Sequence, residues 1–291
     1  MFLGLTTIAV LVPLLGGGPL SVRQLAAWVP KADSVARWQL TAGLDIGRPS
    51  GWVQVRENRI AGTRLRFGPD LAVRHLRTLS LGIDRRLGSR TWLDVTIAGT
   101  SLDGAATLTR DITFNGATLA HGTTLRTAVG MTRFAGVTAA VERRLFGVGR
   151  GSVSMRGGLT FQALTFVLRG TLAPGSALHE TSEDFVTQEL PVPLVGVSAQ
   201  VPLARRLRLV ADLDGSYLPR VNSLRREGGE VTLQQGGADL MAGLRYDLGL
   251  TTSVAAGYRA TAFAQHETST EDGNDVVLRA SAITVRLTIE P

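Results

Sequence analysis

Trp38-Gln39-Leu40-Thr41-Ala42-Gly43-Leu44-Asp45-Ile46 alternates strictly. An extended chain puts Trp38, Leu40, Ala42, Leu44 and Ile46 on one face and Gln39, Thr41, Gly43 and Asp45 on the other. Period two with one apolar and one polar face is the mark of a half-solvated strand. The pattern recurs. Leu79, Leu81 and Ile83 oppose Ser80, Gly82 and Asp84; Leu93, Val95 and Ile97 oppose Asp94, Thr96 and Ala98. Val153, Met155, Leu159 and Phe161 oppose Ser154, Arg156, Gly158 and Thr160. Further on, Leu207, Leu209, Leu213 and Tyr217 oppose Arg208, Asp212, Asp214 and Ser216, and Leu240, Leu244 and Tyr246 oppose Asp239, Arg245 and Asp247. The last run sets Ile283, Val285, Leu287 and Ile289 against Thr284, Arg286 and Thr288.

The connections alternate too. Short ones fall at Arg85–Arg90, Arg144–Arg150, Ala204–Arg206 and Leu248–Leu250. Long polar ones fall at Gly47–Leu71, Gly99–Gly122, Gly170–Pro193, Pro219–Gly236 and Ala264–Asp275. Such a rhythm predicts an all-β, antiparallel up-and-down meander of about ten strands (range about 8–12), with tight turns at one end and long loops at the other. Gly62–Gly68 and Leu108–Phe114 also alternate and would raise the count to about twelve. Asn115-Gly116 is a hairpin-turn dipeptide and predicts a small hairpin from Leu108–Phe114 and Ala117–Leu119 above the strands.

Alternating strands fit either a soluble barrel with its apolar face inward or a membrane barrel with that face toward lipid. Segments of about 9–11 residues match a tilted membrane-spanning strand, and loop lengths segregate by end, which favours the membrane. Over Trp38 to Ile289 the chain resembles the bacterial outer-membrane β-barrel proteins as a broad class. The resemblance implies a bacterial outer-membrane location, both termini periplasmic, insertion by the outer-membrane assembly machinery, and a monomer. Two departures are the C-terminal Thr288-Ile289-Glu290-Pro291, which lacks a final aromatic residue, and an aromatic content of 5%. Trp38, Trp92, Phe146, Tyr217, Tyr246 and Phe263 are the candidates for interfacial girdles. The alternative architecture is a soluble periplasmic lipid-binding β-barrel.

The remaining composition narrows the classes. The 291 residues are 44% hydrophobic and 19% charged, which excludes a mainly disordered chain. Zero cysteines exclude disulfides, thiolate metal sites and a cysteine nucleophile. Phe2 to Leu15 is an apolar run too short to span as a helix, and Gly16-Gly17-Gly18-Pro19 follows it. Residues 1–27 therefore read as a signal peptide and leader, and 28–291 as the barrel domain. The formal charge is +7, and Lys31 is the one lysine. Without a clustered basic helix or a recognisable module, that charge does not predict nucleic-acid binding.

With the apolar face outward, the lumen receives Asp45, Asp84, Asp94, Glu142, Asp212, Asp214, Asp239 and Asp247, faced by Arg126, Arg156, Arg208, Arg245, Arg259 and Arg286. Arginine forks bridging these carboxylates predict a charge-bridged, narrow lumen with a structural or surface role, or a weakly selective pore for small solutes. Arg56, Arg59, Arg64, Arg66, Arg225 and Arg226 in the long loops are candidate contacts for lipopolysaccharide phosphates. No catalytic constellation and no cofactor are predicted. A hydrolase acting on lipid or peptide at the outer rim is the alternative, built from His266, Ser269 and Glu271, or from Asp212 and Asp214 with a loop histidine. Glu271 to Asp275 gathers oxygen ligands around Gly273 but lacks EF-hand spacing, so no metal is predicted.

Overall fold

The computed structural model describes residues 37–114, 116–131, 133–148, 151–171, 179–187, 190–223, 230–270 and 272–291. The expected signal peptide lies outside them. The strands are β1 (Trp38–Glu57), β2 (Ile60–Ala61), β3 (Leu65–Arg66), β4 (His75–Arg86), β5 (Thr91–Thr107) and β6 (Ile112–Phe114). Then come β7 (Ala117–Leu119), β8 (Thr124–Val129), β9 (Phe134–Val148), β10 (Gly151–Thr171) and β11 (His179–Thr187). The last five are β12 (Val192–Pro202), β13 (Leu207–Asn222), β14 (Thr232–Asp247), β15 (Thr252–Thr268) and β16 (Gly273–Ile289).

Ten of these form a closed antiparallel wall in the order β1, β4, β5, β9, β10, β12, β13, β14, β15, β16. Closure is by β16 on β1, from Leu40 opposite Ile289 to Arg56 opposite Gly273. The alternating apolar residues point out. Leu40, Leu44, Ile46, Leu81, Ile97, Leu159, Val197, Leu213, Leu244 and Ile283 are all exposed on the wall, Ile283 by 62%. Their partners Asp45, Asp214, Asp247 and Thr284 are buried inside. An exposed apolar band around a closed wall is stable only against lipid, which removes the soluble alternative.

Phe263 is a correction to the girdle. It points inward and is buried, and Trp92, opposite Glu142, also takes an inward position, whereas Trp38, Phe146, Tyr217 and Tyr246 are exposed. Trp38 lies under the Arg85 guanidinium, and Trp92 under those of Arg86 and Arg144.

The long loops are also shorter than expected, because the strands continue into them. Wall strands run from 11 residues in β12 to 21 in β10. The connection after β15 is only a tight turn, with Ser269 N donating to Asp272 O at 2.8 Å. Above the membrane the polarity of the faces swaps. On β1 the outward series ends at Ile46 and continues as Arg48 and Ser50, while the inward series changes to Val53 and Val55, both buried. Gly47, Pro49 and Gly51 mark the change, so sequence alone suggests a break. Pairing with β4 ends at Gly47 opposite Leu76, so Pro49 stands where that edge of β1 is free. Gly51 has φ 113, and a Cβ there would meet Val277 O at 1.9 Å.

The segment after β1 folds back on that free edge. Asn58 and Arg59, with φ 51 and 67, form a two-residue turn into β2, and β3 then pairs with β1 at Trp52–Arg66 and Val53–Leu65. The expected Asn115-Gly116 hairpin is present as β6 and β7, turning through Gly116 at φ 70. It does not project: Ile112, Phe114 and Leu119 are buried, and Thr113 N donates to Thr63 Oγ1 at 2.9 Å. β8 pairs with the tops of β5 and β10, directly above β9, so β8 and β9 act as one wall strand broken at Gly130–Arg133.

Candidate functional site

The interior has two parts. The lower part is polar and arranged in tiers. Nearest the short turns, Glu290 Oε1 accepts from Gln39 Nε2 at 3.4 Å and from Arg245 Nη2 at 3.3 Å. Asp247 there receives Arg208 at 3.3 Å and stands 3.7 Å from Arg245 Nε. In the next tier Arg286 reaches Asp212 at 3.4 Å, Ser198 Oγ donates to Glu142 at 3.2 Å, and Asp84 stands opposite Asp94 in register. Above them Arg259 is held between Asp45 at 2.5 Å and Asp239 at 2.8 Å, and Arg156 pairs with Asp214. Hydroxyl pairs Thr78–Thr100 at 2.8 Å and Thr138–Thr160 at 3.1 Å follow.

Two of the arginine bridges that step over an intervening strand do so at a small inward residue. Arg156 on β10 crosses β12 at Gly196 to reach β13; a Cβ on Gly196 would lie 1.9 Å from Asp214 Oδ1. Arg259 on β15 crosses β16 at Ala282 to reach Asp45 on β1. These tiers line a cavity of about 450 Å3 whose upper surface is Leu76, Phe134, Phe263 and Leu278.

That surface is the underside of an apolar roof. Val53 and Val55 of β1, Leu102 of β5, Leu125 and Val129 of β8, Leu164, Phe166 and Leu168 of β10, Phe263 of β15, and Val276 and Leu278 of β16 all point inward. Between them pack Leu65, Phe67, Leu71, Val73, Leu108, Ile112, Phe114 and Leu119 from the connections. Phe67 meets Phe166 edge to face at 6.2 Å. A second cluster of Val192, Leu218 and Leu233, with Leu190 and Val221 against it, fills the tops of β12, β13 and β14. The roof segment 65–73 is pinned by Asp70, whose carboxylate takes the backbone N–H of Arg66 at 2.8 Å and its guanidinium at 3.2 Å. Partial burial opposes ionisation of Asp70, but the Arg66 hydrogen bonds and the nearby charges of Arg66 and Arg110 outweigh it and lower its pKa.

Of the fourteen lumen residues read from sequence, thirteen lie on inward-facing positions. Arg126 instead is exposed on β8, opposite Ala105 and Arg169 above the membrane. Glu290 was missed, although the inward parity of Thr284, Arg286 and Thr288 extends to it. Among the described residues the lumen thus holds nine carboxylates (Asp45, Asp84, Asp94, Glu142, Asp212, Asp214, Asp239, Asp247 and Glu290) against five arginines in the tiers (Arg156, Arg208, Arg245, Arg259 and Arg286), with Arg86 and Arg144 on inward positions at the short-turn mouth, stacked on Trp92.

The arginines proposed for lipopolysaccharide divide differently. Arg56 Nη2 donates to Thr268 Oγ1, Ser269 O and Asp272 O at 2.8, 2.9 and 2.6 Å, holding the β15–β16 turn. Arg64 lies 4.0 Å over Trp52, Arg66 is paired with Asp70, and Arg59 sits in the β1–β2 turn. Arg225 and Arg226 fall outside the described residues. His266 pairs with Asp275 on the outer surface of β15 and β16, Ser269 Oγ is engaged with Asp272, and Glu271 is outside the described residues. Asp212 and Asp214 face arginines in the lumen, apart from His266 on the outer surface.

No family model and no curated protein sequence matches the chain. Solved structures do. The outer membrane protease OmpT of Escherichia coli is 9% identical over 86% of this chain and 97% of that one, with a TM-score of 0.49. The translocator domain of autotransporter NalP from Neisseria meningitidis is 11% identical over 86% and 89%, at 0.40. The toluene transporter TodX of Pseudomonas putida is 9% identical over 90% and 91%, at 0.37. On its own geometry, with ten antiparallel strands closed on themselves, short turns at one end and an apolar band facing out, the chain has the fold of an outer-membrane β-barrel.

Proposed function

We propose that this barrel serves as a sealed surface or structural protein of the outer membrane, its lumen closed on the outer side by its own apolar core. One observation carries the reading: the inward face changes from charged to apolar above the membrane, and the apolar part is buried in one large and one small cluster. An open pore keeps water-lined walls throughout, whereas packed aliphatic and aromatic side chains exclude water and ions alike. The arginine bridges below it then brace the wall, each satisfying carboxylates that a lipid-surrounded barrel cannot leave unpaired. Because the wall closes on itself it has no free edge in the membrane, which suits a monomer.

Planar-bilayer recording of the refolded protein tests this. The expected record is quiet or shows only rare, small steps. Replacing Phe67 and Phe166 with serine should wet the roof and give sustained steps. Sustained large steps in the unaltered protein would establish the pore reading instead.

A further inference from the structure

Arg48, Arg77 and Arg279 form a cationic patch on the outer wall. They lie on β1, β4 and β16, three consecutive strands, and all are exposed. Arg77 stands opposite Ile46, one outward position below Arg48; Ser281 stands opposite Arg48, one outward position below Arg279. Each arginine is therefore diagonal to the next, roughly 7–8 Å apart at the backbone. Among the described residues no carboxylate bridges any of the three. Of the outward acids on these and the flanking strands, Asp275 pairs with His266, and Asp103, opposite His75, is diagonal to Arg77 without bridging it.

Like charges on neighbouring strands destabilise a sheet, so a rigid cluster of three guanidiniums asks for an anion from outside the chain. The height of the patch says where that anion comes from. Arg48 follows Ile46 and Leu44 on the outward face, Arg77 follows Leu81 and Leu79, and Arg279 lies just beyond Ile283 and Ser281. This is the upper edge of the lipid-facing band, where headgroups begin. At the other edge the outward Arg85 is occupied by Trp38. Ser50, Ser101 and Ser281 lie opposite Arg279, Arg77 and Arg48 and add hydroxyls between the charges.

We propose that Arg48, Arg77 and Arg279 bind the phosphates of a phosphorylated glycolipid of the outer leaflet, with the serine hydroxyls meeting its sugar. Three forks spread over two diagonal steps, some 15 Å in all, match a headgroup carrying more than one phosphate better than a single phosphodiester. The proposal rests on the outer-membrane reading and assigns the lipid contact to residues other than those the loop charges suggested.

The test is native mass spectrometry of the full refolded chain titrated with bisphosphorylated lipid A, its dephosphorylated form, and phosphatidylglycerol. Heat-modifiable migration reports barrel formation separately, so loss of the barrel and loss of the site are distinguishable. The expected result is specific retention of bisphosphorylated lipid A, weakened roughly 10-fold or more in R48Q/R77Q/R279Q. R48K/R77K/R279K, which keeps charge without the fork, should lie between. Equal binding by the parent and the glutamine variant, or equal affinity for phosphatidylglycerol, would overturn it.

Discussion

Arg156 on β10 reaches Asp214 on β13 by passing over β12 at Gly196. The ion pair therefore depends on a residue that carries no charge. A methyl at position 196 would lie 1.9 Å from Asp214 Oδ1 and 3.0 Å from Arg156 Nε, and it lacks room to remain there with the pair intact. Asp214 is buried, so separation leaves its carboxylate poorly satisfied. Gly196→Ala should cost about 1.5–3 kcal/mol, the scale of charge-assisted hydrogen bonds. Urea unfolding of the folded barrel in detergent measures it. A variant as stable as the parent would mean that Arg156 and Asp214 are satisfied separately.

The roof should behave as a folding unit of its own. Phe166 and Phe67 touch edge to face and are both essentially inaccessible. Phe166→Ala leaves a cavity in packed apolar surroundings and should cost roughly 3–5 kcal/mol. Because the roof stands above the lipid band, the loss should appear first as trypsin cleavage at Arg64 or Arg66, while the membrane-embedded wall still migrates as a folded species. Simultaneous loss of both signals would show that roof and wall fold as one.

The wall was legible in the sequence because one physical rule governs all of it: outward residues meet lipid and inward ones do not. Alternation from Trp38 to Ile46 gave the face, and the same parity placed Asp45, Arg259 and Arg286 inside. The roof was not legible. There the rule inverts, and Val53 and Val55 point inward at positions whose parity matches Asp45. A period-two signal carries no mark of which face is buried, and Gly47, Pro49 and Gly51 interrupt it at the change. Arg126 was misassigned for the same reason, since it belongs to β8 above the membrane. Arg48 falls within the Gly47–Leu71 stretch read as a loop, because β1 continues past Ile46 to Glu57.

Acid should loosen the roof before the wall. Asp70 has its pKa lowered in the folded protein by Arg66 and Arg110, so its contribution is complete above the unfolded carboxylate value near 3.8. It is lost as pH falls through that value toward the lowered one. Arg66, raised by the same contact, remains charged throughout and adds no dependence in this window. Amide exchange across residues 65–73 should therefore be flat from neutral pH down to about 4 and accelerate below it, after correction for intrinsic rates. Asp70→Asn should remove the step. A step that persists in the variant would assign it to another carboxylate.

Once opened, the lumen should prefer cations. Counting only sequence-assigned charges suggests near balance, but Arg126 stands outside and Glu290 stands inside, so among the described residues nine carboxylates face the five arginines of the tiers. The inward Arg86 and Arg144 are held at the short-turn mouth, both on Trp92 and Arg86 also on Gly88 O and Ser89 O. Fixed negative charge in a narrow interior attracts cations and repels anions. With the roof wetted by serine at positions 67 and 166, reversal potentials across a potassium chloride gradient should show cation preference. Adding Arg259→Ala should strengthen that preference, because Asp45 and Asp239 both lose their shared partner. The same change should lower stability, since a carboxylate left unpaired next to lipid-surrounded walls is costly. Asp45→Asn with Asp239→Asn should act oppositely, reducing cation preference and partly restoring the stability lost with Arg259→Ala. Anion preference in the roof variant would mean that some of these carboxylates are neutralised inside the barrel, the opposed Asp84 and Asp94 being the first pair to examine.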